Sequence, residues 1–273
     1  MANISNSFYV YIDSKHRLSG TDSNFTYPIK LPDDREFTHV ALLNALIPKS
    51  YYLIQDGGNT FQLQEGLTIV TITIPLGNYL LNTWKAVLTS LLNSNSPNSW
   101  VYAITYPNIS SQADTGKFTY SVTGNTSQPS LIFDNILYEP FGFLGATTNA
   151  FTANSLVSAT VLKLQSEDRL IIHSSLVNNP NSDNILISIN AATSVPFSSV
   201  SWINYAPEYR AHRLMSQQNK TASFSLTNEH GTVLDLNGLN MNLTLIFYKE
   251  DNIYDVIRNF IKIMLTPKNS PNV

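Results

Sequence analysis

Cysteine is absent from this 273-residue chain, so neither a disulfide framework nor thiolate chemistry is open to it. Charge is scarce: Asp, Glu, Lys and Arg make up 13% of the residues, against roughly 25% in an ordinary soluble domain. A net charge of -3 and a pI near 5.9 argue against a dedicated nucleic-acid or membrane-surface protein. Long apolar runs are missing as well. No stretch approaches the ~20 residues of a membrane-spanning helix, and the N-terminal MANISNSFYVYIDSKHR alternates where a signal peptide would be continuously apolar. Neither a G-x-S-x-G elbow nor a phosphate-cradling glycine loop occurs. The histidines, His16, His39, His173, His212 and His230, fall in no H-x-H or H-x-x-x-H pair, so a zinc site would need ligands from separate segments. No metal and no cofactor are expected.

What fills the space left by charge is neutral and polar. Apolar residues account for 43% of the chain, and much of the remainder is Asn, Ser, Thr and Gln. Such groups desolvate more cheaply than ions, which suits a surface buried against other subunits, although a β-rich binding domain would share this composition.

Period-2 alternation dominates the local pattern. SFYVYID (7–13) and FTYPIKLP (25–32) read as strands, with Pro28 implying an edge or irregularity. FTHVALLNALIPKSYY (37–52) is more continuously apolar and favours strand, though VALLNAL alone would suit a helix. LTIVTITIP (67–75) is the clearest β run. The period then changes: Leu80, Leu81, Trp84, Val87, Leu88, Leu91 and Leu92 form one stripe of an amphipathic helix over 78–94. Short strands WVYAITY, GKFTYSVTG and PSLIFD follow, and YEPFGFLG (138–145) closes the region around Gly142 and Gly145. From Ser158 onward the pattern is β again, ending in a second helical stripe, DNIYDVIRNFIKIML, capped by Asp251 and stopped by Pro267. The expected fold is all-β: a single jelly-roll sandwich from residues 1–66 and 146–273, an α+β insertion over 67–145, and a C-terminal helix.

Three groups invite a chemical reading. The first is FSLTNEHGTVLDLNGLNMNLTLIFYK (224–249), where Glu229, His230 and Asp235 resemble acid–base or metal-ligating residues. Gly231 and the pair Asn237-Gly238 instead mark two turns between strands, with Asp235 pointing outward. Most of the 19 acidic residues fall in similar turn contexts, so no catalytic pair is expected and the chain does not read as an enzyme. The second is Lys15-His16-Arg17 after the first strand. The third is Arg210-His212-Arg213 beside Tyr205 and Tyr209. Arg and Tyr are enriched in interface cores, so Lys15, Arg17, Tyr205, Tyr209, Arg210, His212 and Arg213 are candidate contact residues. An inner surface facing packaged nucleic acid and a plain solvated loop are alternatives.

Several stretches taken together carry a family resemblance. FYVYIDSKHRLSGTDSNFTYPIKLP, FTHVALLNALIPKSYYLI, NTFQLQEG, TITIPLGNYLLNTWKAVLTSLLNS, YEPFGFLG and the final FSLTNEHGTVLDLNGLNMNLTLIFYK resemble, in their order and spacing, the penton (minor capsid) proteins of virophages and related Polinton-like elements. The likeness spans about residues 5 to 250. It implies a single jelly-roll subunit, made in the host cytoplasm, that forms homopentamers at the fivefold vertices of an icosahedral virion beside double jelly-roll major capsid proteins. It implies no catalytic residues. A host-attachment or glycan-binding sandwich is the competing expectation, with a host receptor or glycan as partner.

Overall fold

The computed structural model describes residues 7–106, 114–145, 147–165, 167–177, 184–215 and 221–249, together with Ile257 and Ile261. The chain forms two compact units, residues 1–50 with 168–273 and residues 51–167.

The first unit opens with β1 (Phe8–Asp13), where Phe8, Val10 and Ile12 alternate with the exposed Tyr9 and Tyr11. A 3-10 turn at Ser14–His16 leads to β2 (Ser19–Gly20), β3 (Asn24–Pro28) and the ten-residue β4 (His39–Pro48). VALLNAL is strand because β4 is paired on both sides, so sheet hydrogen bonding overrides its helical propensity.

The second unit contains β5 (Thr60–Glu65), β6 (Thr68–Thr73), α1 (Leu81–Asn95), β7 (Val101–Thr105), β8 (Thr119–Thr123), β9 (Ser130–Ile132), α2 (Tyr138–Phe141), β10 (Thr148–Ala150) and β11 (Ser155–Val157). The strands make two antiparallel sheets, β10-β9-β5-β6 and β11-β8-β7. The helical stripe buries Trp84, Leu88 and Leu92, and Trp84 Nε1 donates to the Pro140 carbonyl at 2.9 Å. Phe141 is the hub of this core: its ring lies 4.8 Å from Phe133, 4.9 Å from Phe61 and 5.4 Å from Trp84. Gly142 follows at φ +80°, and a Cβ there would come within 2.8 Å of Ser158 Cβ and the Thr160 carbonyl, so the turn requires glycine. The buried Glu65 carboxylate accepts from Ser96 Oγ, the Asn98 N–H and the Tyr102 hydroxyl at 2.7–3.0 Å. Burial and that hydrogen bond push the Tyr102 pKa upward.

The boundaries differ from those drawn at 66/67 and 145/146. Strands β5 and β6 form a hairpin through Gly66, so a boundary at 66/67 would split it. At the other end, β10 and β11 complete the unit's sheets. SATVLKL, read as a jelly-roll strand, lies in this unit too, with Thr160 and Leu162 donating backbone bonds to the Gly142 and Gly116 carbonyls at 2.8 and 2.9 Å.

Back in the first unit come β12 (Arg169–Ser174), β13 (Ile185–Asn190), β14 (Ser199–Ile203), β15 (His212–Arg213), β16 (Thr221–Thr227) and β17 (Asn242–Tyr248). One sheet runs β1-β17-β4-β14, with β15 also on β4; the other runs β13-β12-β16-β3-β2. Count β1, β3, β4, β12, β13, β14, β16 and β17 as first to eighth. The first sheet is then first-eighth-third-sixth and the second, from β3, is second-seventh-fourth-fifth. That is the strand order of a jelly roll, and the fold is all-β with few helices. Ile12, Phe25, Val40, Ile47, Ile172, Phe224, Leu226, Leu243, Leu245 and Phe247 are among its buried core. The expected C-terminal helix lies outside the described residues except for Ile257 and Ile261, which are helical and about half exposed.

Candidate interaction surfaces

The segment 224–249 resolves into two strands and two turns. Asn228, itself buried, organises the first turn: its Oδ1 accepts from the His230 and Thr232 N–H groups at 3.0 and 2.9 Å. Glu229 and His230 lie side by side at 3.9 Å, both part-exposed. Asp235 is exposed and accepts from the Asn237 N–H at 2.7 Å in the second turn, where Asn237 and Gly238 both have positive φ. These residues shape turns, and among the described residues no three His, Asp or Glu side chains are grouped to hold a metal. No described helix is long and apolar enough to cross a membrane.

The two basic clusters are separated along and across the first sheet. Lys15 and Arg17 follow Asp13, which lies opposite Asn242, which in turn lies opposite Leu46. His212 and Arg213 pair with Val40 and His39 at the other end of β4. They also flank opposite edges, since β1 is one margin of the sheet and β14 with β15 the other.

Arg17 is a strut. Its Nη1 donates to the Ser14 carbonyl at 2.9 Å and to Asn240 Oδ1 at 3.5 Å, and its Nε donates to the Gly20 carbonyl at 3.1 Å. Lys15 remains exposed. On the β14 side, buried Asn204 anchors an outward arc: its side chain donates to the Leu42 carbonyl at 3.1 Å and its N–H to the Leu43 carbonyl at 2.8 Å. Pro207 starts a 3-10 turn over Pro207–Arg210, a position suited to a residue without an N–H. Ala211 then packs on Ala41, Ile246 and Tyr248. Pinned at both ends, the arc leaves Tyr205 90% and Tyr209 83% exposed. Arg210 is exposed with its guanidinium carbon 5.9 Å from the Trp202 ring centroid, and Arg213 is exposed. His212 differs from its neighbours: its Nε2 donates to the Leu186 carbonyl of β13 at 2.9 Å, which ties the two sheets together.

The β14 margin also carries residues that composition and spacing did not single out. In the loop before β14, Val195 is exposed, Phe197 is 73% exposed, and Phe197 has φ +63°, a conformation costly for a bulky side chain. The loop is held from beneath. Lys49, only 3% exposed, donates to the Ala191 and Ser194 carbonyls at 2.9 and 2.7 Å, and the Phe197 N–H donates to the Lys49 carbonyl at 2.8 Å. Burial holds the Lys49 pKa below its ordinary value, with Asp168 opposing that shift. Ile203, at the end of β14, is exposed too. Val-Pro-Phe-Ser between two strand patterns was the available signal for this loop.

No protein-family model matches the chain, and no curated protein matches it. Among solved structures, a selenomethionine-labelled mavirus penton protein is 12% identical, with 88% of this chain and 99% of that one covered at a TM-score of 0.45.

Proposed function

We propose that this chain is a structural capsid subunit that assembles into a homopentamer closing the fivefold vertices of an icosahedral virion, beside double jelly-roll major capsid proteins. The observation that carries this reading is the inequality of the two margins of the β1-β17-β4-β14 sheet. One margin presents Val195, Phe197, Ile203, Tyr205, Tyr209 and Arg210; the other presents β1, which pairs with no strand but β17 among the described residues, with its exposed Tyr9 and Tyr11. A closed ring is built from heterologous contacts, and each subunit then needs two different faces, one to give and one to receive. Exposed Tyr and Arg on an arc whose ends are fixed supply stiff contact area at little entropic cost. The penton-like order of sequence segments points the same way.

The test is the mass of the native protein. A species of five copies is expected by native mass spectrometry, and the double variant Arg210→Glu with Arg213→Glu should shift it toward monomer by at least tenfold in dissociation constant. A wild-type monomer at every concentration, or a variant pentamer as tight as wild type, would sink the proposal.

A further inference from the structure

From a groove on the outer face of the second sheet, we infer a binding site for a neutral saccharide. The groove encloses about 460 Å³. Its floor is a cross-strand row, His173 on β12 opposite Ser225 on β16, which lies opposite Asn24 on β3. Gly231 and Val233, from the turn that Asn228 organises, border it, as do Ser175 and Asn184.

The lining chemistry selects the ligand. Among the described residues no Asp, Glu, Lys or Arg lines the groove, so an ion meeting that lining would shed hydration without a counter-charge from it. An apolar ligand would strand the hydroxyls and amides without water or partner. A sugar meets both conditions, because its hydroxyls donate and accept in turn. Some of the lining is already committed: His173 Nε2 and Thr227 Oγ1 are 2.9 Å apart, and Ser175 Oγ accepts from the Ser223 N–H at 2.9 Å. The side chains of Asn24, Asn184, Ser223 and Ser225 bond to no described residue. They offer two amides and two hydroxyls, each able to give and to take a hydrogen bond. Phe224 is buried beneath the floor and the His173 imidazole, held by Thr227, is the one part-exposed ring among the described lining residues. Stacking therefore adds little and the site binds weakly, with a dissociation constant on the order of 1 mM.

This inference stands on the groove alone and holds whatever the number of subunits. Saturation-transfer-difference NMR on the full chain, with millimolar methyl glycosides of galactose, mannose, fucose and N-acetylglucosamine, tests it directly. Methyl sialoside serves as the charged comparison. At least one neutral glycoside should receive saturation, and Ser225→Trp, which fills the floor, should cut that signal at least fivefold at an unchanged melting temperature. If the tryptophan perturbs folding, Asn24→Ala with Asn184→Ala removes the two amides and should give the same loss. Absence of saturation for every neutral glycoside, transfer to the sialoside alone, or an unchanged signal in the folded variants would each overturn the assignment. Native mass spectrometry of the same samples reports subunit number separately, so failure of one reading is distinguishable from failure of the other.

Discussion

Arg17 and Arg210 both stand at the end of a 3-10 turn that follows a marginal strand of the same sheet, Arg17 just past its turn and Arg210 as the last residue of its own, yet they have opposite fates. Arg17 spends its guanidinium on two carbonyls and the Asn240 amide oxygen. Arg210 lies over Trp202 with no acceptor among the described residues. Residue type therefore does not separate a strut from a contact. The local supply of carbonyls does: the chain folds back on itself at Ser14–Gly20 and crowds acceptors around Arg17, whereas Arg210 is exposed at the end of its turn. Removing a strut should cost stability and leave assembly alone; removing a contact should do the reverse.

Lys49 is the strut at its extreme, and it should give the largest effect. Lys49→Met leaves the Ala191 and Ser194 carbonyls without their donor, while relieving a buried charge. The net loss should be about 2 kcal/mol, lowering the melting temperature by roughly 4–8 °C. The pH dependence carries the signature. The folded pKa is lowered below 10.5, so the native state releases the proton first and the wild type gains stability as pH rises between that folded value and 10.5. The difference in melting temperature between wild type and variant should widen in that window; a constant difference would refute the buried-charge account.

Arg17→Ala should cost about 1–2 kcal/mol through its lost charge-assisted hydrogen bonds, read as a fall in denaturation midpoint with no change in native mass. A variant as stable as wild type would return Arg17 to the ranks of possible contacts and erase the distinction drawn from Arg210.

What was legible in the sequence follows from how local each cause is. The jelly-roll strands and the Trp84 stripe were visible because burial periodicity is written within a few residues. Gly142 and the turns at 228–231 and 237–238 were visible because positive φ selects residue type. Unit boundaries were not, because the neighbours of β5 are decided by β9, far along the chain. His212 was grouped with exposed residues because its acceptor is a main-chain carbonyl on another strand, and no composition rule reports where carbonyls lie. The hydrogen bonds of Arg17 were hidden for the same reason, with Asn240 223 positions away.

Phe197 joins both halves of the comparison in one residue, so its substitution is the sharpest of these tests although its effect on stability is the smallest. The side chain is largely exposed, so truncation forfeits little burial, while glycine adopts φ +63° without steric cost. Relief of backbone strain in Phe197→Gly is worth about 1–2 kcal/mol, partly offset by roughly 1 kcal/mol of added freedom in the unfolded chain. The monomer should therefore hold its stability or gain up to about 1 kcal/mol, seen as a melting temperature equal to or a few degrees above wild type. The proposed pentamer should weaken, because that reading gives the exposed aromatic, at unfavourable φ over a buried lysine, a partner outside the subunit. A more stable chain that assembles less well would identify Phe197 as a contact. A less stable chain that assembles unchanged would make it a strut.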